Sequence, residues 1–217
     1  MIDAVAVEID AEAVVVRAAR PLVVVSSAVA GGGLGRARAL VNLRVPRDVD
    51  CATVGARLAE FARRRDLPTP WVGLCTAAAT ERAEVVTERA DDVTATAIAT
   101  VGLSNPVSAG LSARAAWRPA TINTLVLVDA APAPAALVNL VATVTEAKVL
   151  ALLDAGVRLP DGALPSGTST DAIVVAATGR GPACPYGGPV TAVGWAVARA
   201  VRAAVGTGAR RWLEARR

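Results

Sequence analysis

The chain contains a single lysine and no histidine, which limits the acid–base chemistry that it can perform. Histidine is the side chain most often used to move protons near neutral pH, so another group must serve here. Lys and Arg together number 23, and Lys148 is the one lysine among them. A compact amine that can be deprotonated is therefore one interpretation of Lys148. An ordinary surface lysine is the other, and the sequence leaves both open.

Lys148 falls in a predicted helix over residues 135–154 that carries a second acid–base candidate, Glu146. Asn139, Thr143 and Glu146 are spaced i, i+4 and i+7 and so share one face of the helix. Lys148 lies about 200° around the axis from Glu146, because each residue turns the helix by about 100°. A straight helix cannot bring both side chains to one reacting atom. Either Glu146 or Lys148 meets a substrate, and the pattern does not decide between them.

A polar loop, residues 166–171, precedes a predicted buried strand and offers both hydroxyls and a carboxylate. Thr168 and Thr170 supply hydroxyl groups, and Asp171 follows them directly. As a structural feature, such a loop caps a strand. As a site, it supplies a nucleophile and an acid–base partner within one turn.

Other polar residues at strand ends and turns are candidates for binding a ligand. Thr121 and Asn123 share one face at the start of a predicted strand. Ser104 and Asn105 lie in the turn 102–106. The glycines Gly31, Gly32 and Gly33 lack the Lys-Ser/Thr ending of a phosphate loop. They predict a bend at a strand end, with close backbone approach to a ligand as the alternative.

The hydrophobic pattern predicts many strands and a few helices. Alternation with period two predicts strands at residues 38–45 and 93–101. Apolar residues at i, i+4 and i+7 predict a helix over 52–65, and the C-terminal helix is predicted over 189–205. Because neighbouring strands far outnumber helices, we expect one α+β domain over residues 1–217, a mixed layered α/β sandwich.

The composition excludes several classes of protein. Hydrophobic residues make up 53% and charged residues 19%, which is incompatible with a disordered chain. The three cysteines are widely separated and no histidine is present, so we expect no metal site. The formal charge of +4 is concentrated in short arginine runs without interleaved aromatics, so we expect no nucleic-acid partner.

The N-terminal residues MIDAVAVEID are acidic where a secretory signal would be basic. No stretch offers eighteen uninterrupted apolar residues, so we expect no membrane partner and a cytoplasmic location. The oligomeric state is not encoded in any visible pattern, and a homo-oligomer remains open.

Six segments match the motifs of one enzyme family in the same order: GGGLGRARALVNLRVP, GLSNPVSAG, TINTLVLVDA, ALVNLVATVTEAKVLALLDAGV, SGTSTDAIVVAATG and YGGPVTAVGWAVARAV. Over roughly residues 24–202 the chain resembles the adenosylcobinamide amidohydrolases of cobalamin salvage. The resemblance implies hydrolysis of the amide that joins the aminopropanol arm to the corrin ring, giving adenosylcobyric acid. The corrinoid is then the substrate, and no cofactor is expected. A fainter resemblance of residues 121–179 to ornithine acetyltransferases implies a related layered fold.

Amide hydrolysis requires a nucleophile, a proton acceptor, stabilisation of the oxyanion and an acid for the leaving amine. In one route, Glu146 or Asp171 activates water, while Lys148 or glycine backbone N–H groups hold the oxyanion. In the other, Thr168 or Thr170 attacks with a neutral Lys148 as base. The first is favoured because it needs no large pKa shift.

Amides of the corrinoid suit hydrogen bonding to four asparagines: Asn42, Asn105, Asn123 and Asn139. Two other functions remain open at this stage. A non-catalytic corrinoid-binding protein would bind without releasing aminopropanol, and an acyltransferase acting on an amino acid would have no corrinoid affinity.

Overall fold

A computed structural model of the chain describes residues 2–114 and 121–216. The strands are β1 (Val5–Ile9), β2 (Ala13–Ser26), β3 (Gly33–Arg44), β4 (Trp71–Thr76), β5 (Glu84–Ala90), β6 (Val93–Val101), β7 (Pro106–Val107), β8 (Ile122–Asp129), β9 (Ala131–Pro132), β10 (Gly167–Thr168), β11 (Ala172–Ala177) and β12 (Ala183–Cys184). The α-helices are α1 (Val54–Arg64), α2 (Pro134–Asp154) and α3 (Ala192–Glu214). Short 3₁₀ turns cover Cys51–Thr53 and Thr80–Arg82.

Eight of the strands formed by the described residues make one mixed sheet. Its order is β4-β3-β2-β11-β8-β6-β5, with β1 added beside β2. The β3–β4 and β8–β11 pairs are parallel, and the other pairs are antiparallel. The two parallel pairs require crossovers through α1 and α2, because parallel neighbours cannot be joined by a hairpin.

The sheet folds over on itself, so that its two halves face each other. In an open sheet, β4 and β8 would lie about 19 Å apart, four strand spacings away. Instead, the side-chain amide of Asn123 in β8 donates to the backbone carbonyl of Cys75 in β4 at 2.9 Å. One inner apolar cluster accordingly joins Leu40 and Leu74 from one half to Ile98 and Leu125 from the other.

Helices cover the two outer faces of the folded sheet. On one face, α2 and α3 pack on the half that contains β5, β6, β8 and β11. Small residues such as Ala97 and Ala200 line this contact and let the helices approach closely. On the other face, Leu58 and Phe61 of α1 pack against Val41. The result is four layers, helix–sheet–sheet–helix, and it confirms the predicted α+β layered sandwich.

The element boundaries agree with the sequence patterns except at two places: β3 begins at Gly33, before the predicted residue 38, and the C-terminal helix differs. The strand at 93–101 and the helix at 135–154 are confirmed by β6 and α2. The predicted C-terminal helix is too short, because α3 continues to Glu214. Gly208 lies inside α3 and packs against Val101, where a Cβ would come within 2.7 Å of a side-chain methyl. The glycine there serves close helix–sheet packing and does not end the helix.

One helix within the described part of the chain, α2, is long and apolar enough to cross a membrane by length and composition. Half of its most apolar window is buried inside the protein. Its buried stripe contacts the sheet, so in this fold α2 is a core helix.

Candidate active site

The centre of the candidate site is a buried ion pair between Lys148 of α2 and Asp171, which directly precedes β11. Lys148 Nζ lies 2.5 Å from Asp171 Oδ2, and the two side chains are 8% and 11% exposed. Lys148 is buried because it lies on the stripe of α2 that faces the sheet, four residues from both Val144 and Leu152. An ion pair so well removed from water is an expensive feature that needs further hydrogen bonds to be stable.

Those further hydrogen bonds converge on the carboxylate of Asp171. Its Oδ1 accepts from the backbone N–H of Ile122 at 3.0 Å and from the hydroxyl of Thr168 at 2.5 Å. Its Oδ2 accepts from the backbone N–H of Thr168 at 3.1 Å as well as from Lys148. Four donors therefore fix the position of the carboxylate.

Gly167 makes this arrangement possible, because the ion pair lies directly against its Cα. A Cβ at this position would come within 2.1 Å of Asp171 Oδ2 and 2.6 Å of Lys148 Nζ. Any side chain would displace both charged groups. The sequence pattern did not single out this residue, although a glycine directly before Thr168 was visible.

A row of polar side chains runs from the ion pair into the fold between the two halves of the sheet. The hydroxyl of Thr121 can donate to two acceptors, the Thr170 carbonyl at 2.8 Å and Asn123 Oδ1 at 3.0 Å. Asn123 donates to Asn42 Oδ1 at 2.7 Å, and Asn42 donates to Thr100 Oγ1 at 2.9 Å. The two asparagines are fully buried. They hold β3, β6 and β8 together, so the binding role predicted for Asn42 and Asn123 does not fit this arrangement.

A cavity of about 350 Å³ opens beside the ion pair. Asp171, Thr170 and Thr121 contribute polar atoms to its wall. Most of the remaining wall is aliphatic, and two cysteines, Cys51 and Cys75, also line it. Burial raises the pKa of the Cys75 thiol to about 12, so that thiol stays protonated. The cavity is therefore mostly apolar, with the carboxylate of Asp171 at one end.

Two of the candidates on α2 lie away from the pair. Glu146 and Asn139 are exposed, on the helix face opposite Lys148. Of the two faces of α2, the one that carries Lys148 is turned toward the sheet and Asp171. The catalytic prediction for Glu146 and the binding prediction for Asn139 do not fit this arrangement, because neither side chain faces the cavity.

The glycine run also lies outside the cavity wall. A Cβ at Gly31 would approach the Trp71 carbonyl to 2.6 Å, and one at Gly32 would approach the Ala28 carbonyl to 2.3 Å. Gly31 and Gly33 have positive φ angles of 66° and 94°. Close packing against neighbouring backbone explains Gly31 and Gly32, and the positive φ angle explains Gly33. The ligand-binding prediction for Gly31, Gly32 and Gly33 therefore finds no support in the fold.

The turn 102–106 lies next to the site. The side-chain amide of Asn105 donates to the hydroxyl of Ser169 at 2.7 Å, and the backbone N–H of Gly102 donates to the Thr121 carbonyl at 3.1 Å. Asn105 thus braces the loop that carries Thr170 and Asp171. Ser104 is exposed and lines a different pocket.

Among the described residues, no three His, Cys, Asp or Glu side chains converge as metal ligands would. The carboxylate of Asp171 is occupied by its four donors. The absence of a metal from the reaction remains a prediction of the sequence.

The model of the adenosylcobinamide amidohydrolase family matches residues 2–217. An adenosylcobinamide amidohydrolase from Methanosarcina mazei is 32% identical over 78% of this chain and 82% of its own length. One from Halobacterium salinarum is 36% identical over 80% of this chain and 74% of its own length.

Among solved structures, the PH0078 protein from Pyrococcus horikoshii OT3 is similar with a TM-score of 0.53. The match covers 93% of this chain and 78% of that protein, at 12% sequence identity. This likeness concerns the fold alone.

Proposed function

Because the chain belongs to the adenosylcobinamide amidohydrolase family, we propose that it hydrolyses the amide between the corrin ring and the aminopropanol arm of adenosylcobinamide. The products are adenosylcobyric acid and aminopropanol. The family match makes the chain an amide hydrolase of cobalamin salvage, and neither alternative function is needed. The finer assignment of the reaction to particular residues is our proposal.

The observation that supports the location of the reaction is the contact between Thr168 and Asp171. A hydroxyl nucleophile needs a base within hydrogen-bond reach, and the base needs a third group that orients it. Thr168 Oγ1 lies 2.5 Å from Asp171 Oδ1, and Lys148 and the Ile122 N–H fix the same carboxylate. This arrangement supports a change of route from the one that the sequence favoured, from activated water to an attacking threonine.

The proposed reaction begins as Thr168 Oγ1 attacks the amide carbonyl carbon and gives its proton to Asp171. The tetrahedral intermediate collapses when Asp171 returns that proton to the departing amine, which leaves as aminopropanol. The corrinoid acyl group is then an ester on Thr168. Water attacks this ester, again with Asp171 as proton acceptor, and releases the carboxylic acid while the threonine hydroxyl is restored.

Lys148 has an electrostatic role in this scheme. Its ammonium holds Asp171 in place and lies close to the negative charge that develops on the carbonyl oxygen. A fixed charge in a site that excludes water stabilises such an oxyanion far better than a solvated one. Proton abstraction by a neutral Lys148 is not required.

The cavity fits the arm of the substrate better than its ring. Its volume of about 350 Å³ lies at the low end for sites that enclose a small ligand. A corrin ring with its side-chain amides is much larger than such a site. We therefore place the aminopropanol arm in the cavity, the scissile amide at the end of the cavity where Asp171 meets Thr168, and the ring outside its mouth.

We also place the enzyme in the cytoplasm. The three cysteines are free, and Cys51 is exposed. Free exposed thiols are typical of a reducing compartment.

The function is tested by incubating the purified protein with adenosylcobinamide, without added nucleotide, and separating the corrinoids by chromatography. We expect adenosylcobyric acid and an equal amount of free aminopropanol. Tight binding without release of aminopropanol would instead identify a corrinoid-binding protein. A strict requirement for ATP would overturn the proposal of simple hydrolysis.

The nucleophile is tested by removing single hydroxyl groups. Thr168→Val should lose turnover by roughly a thousandfold, the scale of losing a central catalytic group, whereas Thr168→Ser should retain much of it. Thr178→Val is a matched control, because Thr178 bonds to Asp129 away from the cavity.

Thr121 and Thr170 are the competing hydroxyls, because both line the cavity whereas Thr168 does not. If Thr121→Val or Thr170→Val abolishes turnover while Thr168→Val retains it, the nucleophile is that residue and not Thr168. Acid quenching of a single turnover, followed by mass spectrometry of the peptides, identifies the residue that carries the corrinoid acyl group.

A further inference from the structure

A second pocket, of about 200 Å³, is lined by an unusual number of arginines. Three segments that are distant in sequence supply them: the end of β3 and the loop after it, the 3₁₀ turn Thr80–Arg82, and the C-terminal end of α3. We call this site the arginine pocket, and its cations are Arg44, Arg47, Arg82, Arg211 and Arg216. No acidic residue is part of its wall among the described residues.

The positive charge of the pocket is only partly neutralised by its surroundings. Glu81 pairs with Arg44 at 3.2 Å, and Glu84 pairs with Arg211 at 2.7 Å. Among the described residues, the other three arginines of the pocket form no ion pair. Five guanidinium groups against two carboxylates leave a concentrated positive field, which attracts a small anion.

Some of these side chains are held in position before any ligand binds. The two glutamates restrain Arg44 and Arg211, and the guanidinium of Arg216 stacks over the ring of Trp212 at 3.5 Å. A restrained guanidinium loses less side-chain entropy when it binds. Its planar pairs of N–H donors match the oxygen atoms of phosphate.

We propose that the arginine pocket is a binding site for a single phosphate group, either inorganic phosphate or a phosphate ester. The volume of about 200 Å³ suits one phosphate with part of its hydration shell. Because α3 ends here, its backbone offers carbonyl oxygens, so the donors to the anion are the guanidinium groups and the exposed hydroxyl of Ser104.

The arginine pocket adjoins the cavity beside the ion pair. Ala77 lines both. The turn 102–106 also joins them, because Ser104 lines the pocket while the Gly102 N–H bonds to Thr121. A phosphate on the hydroxyl of the aminopropanol arm would thus have a neighbouring site to occupy. The assignment of the phosphate to the substrate arm rests on the proposed function. The assignment of a phosphate site to the arginine pocket does not.

Calorimetric titration of the full chain with inorganic phosphate, against sodium chloride at equal ionic strength, tests the site without any turnover. We expect one saturable phosphate site. The double variant Arg47→Gln/Arg82→Gln should weaken it by at least about tenfold, as expected when two charge-assisted contacts are lost. Both residues are exposed, so the variant should keep its fold, which circular dichroism checks.

Arg36→Gln is the matched control. Arg36 is also exposed, and it lies eight residues before Arg44 on β3, about 26 Å away along the strand. Phosphate affinity in this variant should stay within about twofold of wild type if the site is local. Phosphate binding no tighter than chloride, or equal weakening by Arg36→Gln, would overturn the proposal.

A second titration with 1-amino-2-propanol O-phosphate distinguishes the two sources of phosphate. Tighter binding than inorganic phosphate, lost in the double variant, identifies an ester on the arm of the substrate. Equal binding of the two identifies a free anion. Both results require the phosphate site, and neither depends on whether the chain hydrolyses adenosylcobinamide.

Discussion

At the scale of single residues, the cost of burying charge governs the site. Lys148 and Asp171 are both nearly inaccessible to water, and each is the other's counter-ion. Removing one partner from such a pair is far more costly than removing both, because an uncompensated charge remains buried. The local crowding is also high, since Gly167 leaves no room for a further methyl group. The site should therefore tolerate neither a change of charge nor a change of size at these two positions.

Lys148→Arg tests the size of the cation while keeping its charge. The guanidinium is larger than the ammonium and must displace Asp171 or the loop at Gly167. A displacement of about 1 Å costs roughly a hundredfold in rate, so we expect turnover to fall by about that factor. Steady-state kinetics measure it. Wild-type turnover in this variant would remove Lys148 from the mechanism.

Lys148→Met tests the charge while keeping the stem. The buried carboxylate of Asp171 then loses its counter-ion but keeps its three other donors. We expect a loss of about 3 kcal/mol in the free energy of unfolding, measured by urea denaturation. An unchanged unfolding midpoint would mean that the pair is solvated and not buried.

At the scale of elements, the site is assembled where α2 passes over the loop before β11. The sequence predicted both elements and singled out Lys148 and Asp171 on each, because a lone lysine and a carboxylate before a buried strand are visible locally. The sequence could not choose between Lys148 and Glu146, because aliphatic residues lie on all sides of α2 and do not mark one face as buried. The pairing of Lys148 with Asp171, 23 positions apart, depends on tertiary contact and is not visible in a local pattern. Gly167 was not singled out because it has no side chain, and its role is to leave space for the ion pair.

Gly167→Ala tests that role. The added methyl group would overlap the ion pair, so we expect a well-folded protein with at least about a hundredfold lower turnover, or a clear loss of stability. Gly55→Ala is the matched control, because Gly55 is exposed in α1 with no atom near its Cβ position. That variant should gain about half a kcal/mol in stability from better helix propensity and keep full activity. Equal behaviour of the two variants would contradict the close packing at Gly167.

At the scale of the whole molecule, the cavity exists because the sheet folds over and brings the end of β4 to the start of β8. Alternating strands predicted a layered α+β sandwich correctly. They could not predict this closure, because it depends on long-range contacts such as those of Asn42 and Asn123, which sequence reasoning assigned to substrate. The residues next to an asparagine in the sequence do not reveal whether its side chain is buried or exposed. The closure also places Cys51 and Cys75 in the wall of the cavity, which provides two further tests of the fold.

Cys51 should be the reactive thiol of this protein, and substrate should protect it. It is exposed and lines the cavity, whereas burial raises the pKa of both Cys75 and Cys184. Only the thiolate reacts rapidly, so iodoacetamide at pH 8 should label Cys51 alone. Peptide mass spectrometry locates the label. Labelling of Cys51 that adenosylcobinamide does not slow would place the substrate elsewhere.

Cys75 should make the stability of the protein fall at high pH. Its pKa is about 12 in the folded protein against an ordinary value of 9.0. Between pH 9 and 12 the unfolded chain loses this proton while the folded protein keeps it, so the free energy of unfolding decreases as pH rises. By pH 10 the loss is about 1.4 kcal/mol. Urea denaturation at pH 7.5 and pH 10 should show it in wild type and a smaller loss in Cys75→Ala, and identical losses would contradict burial of this thiol.

The most direct test of the central assignment is the rate at which Asp171→Asn forms adenosylcobyric acid from adenosylcobinamide at saturating substrate. Asparagine keeps the shape of the side chain but cannot accept the proton of Thr168. We predict that the variant is less stable, because Lys148 loses its counter-ion, but remains folded and still binds the substrate. Its turnover should fall by roughly a hundredfold or more, the usual cost of losing a general base. Turnover close to wild type, with only a lowered melting temperature, would contradict the account and leave Asp171 as a structural cap of β11.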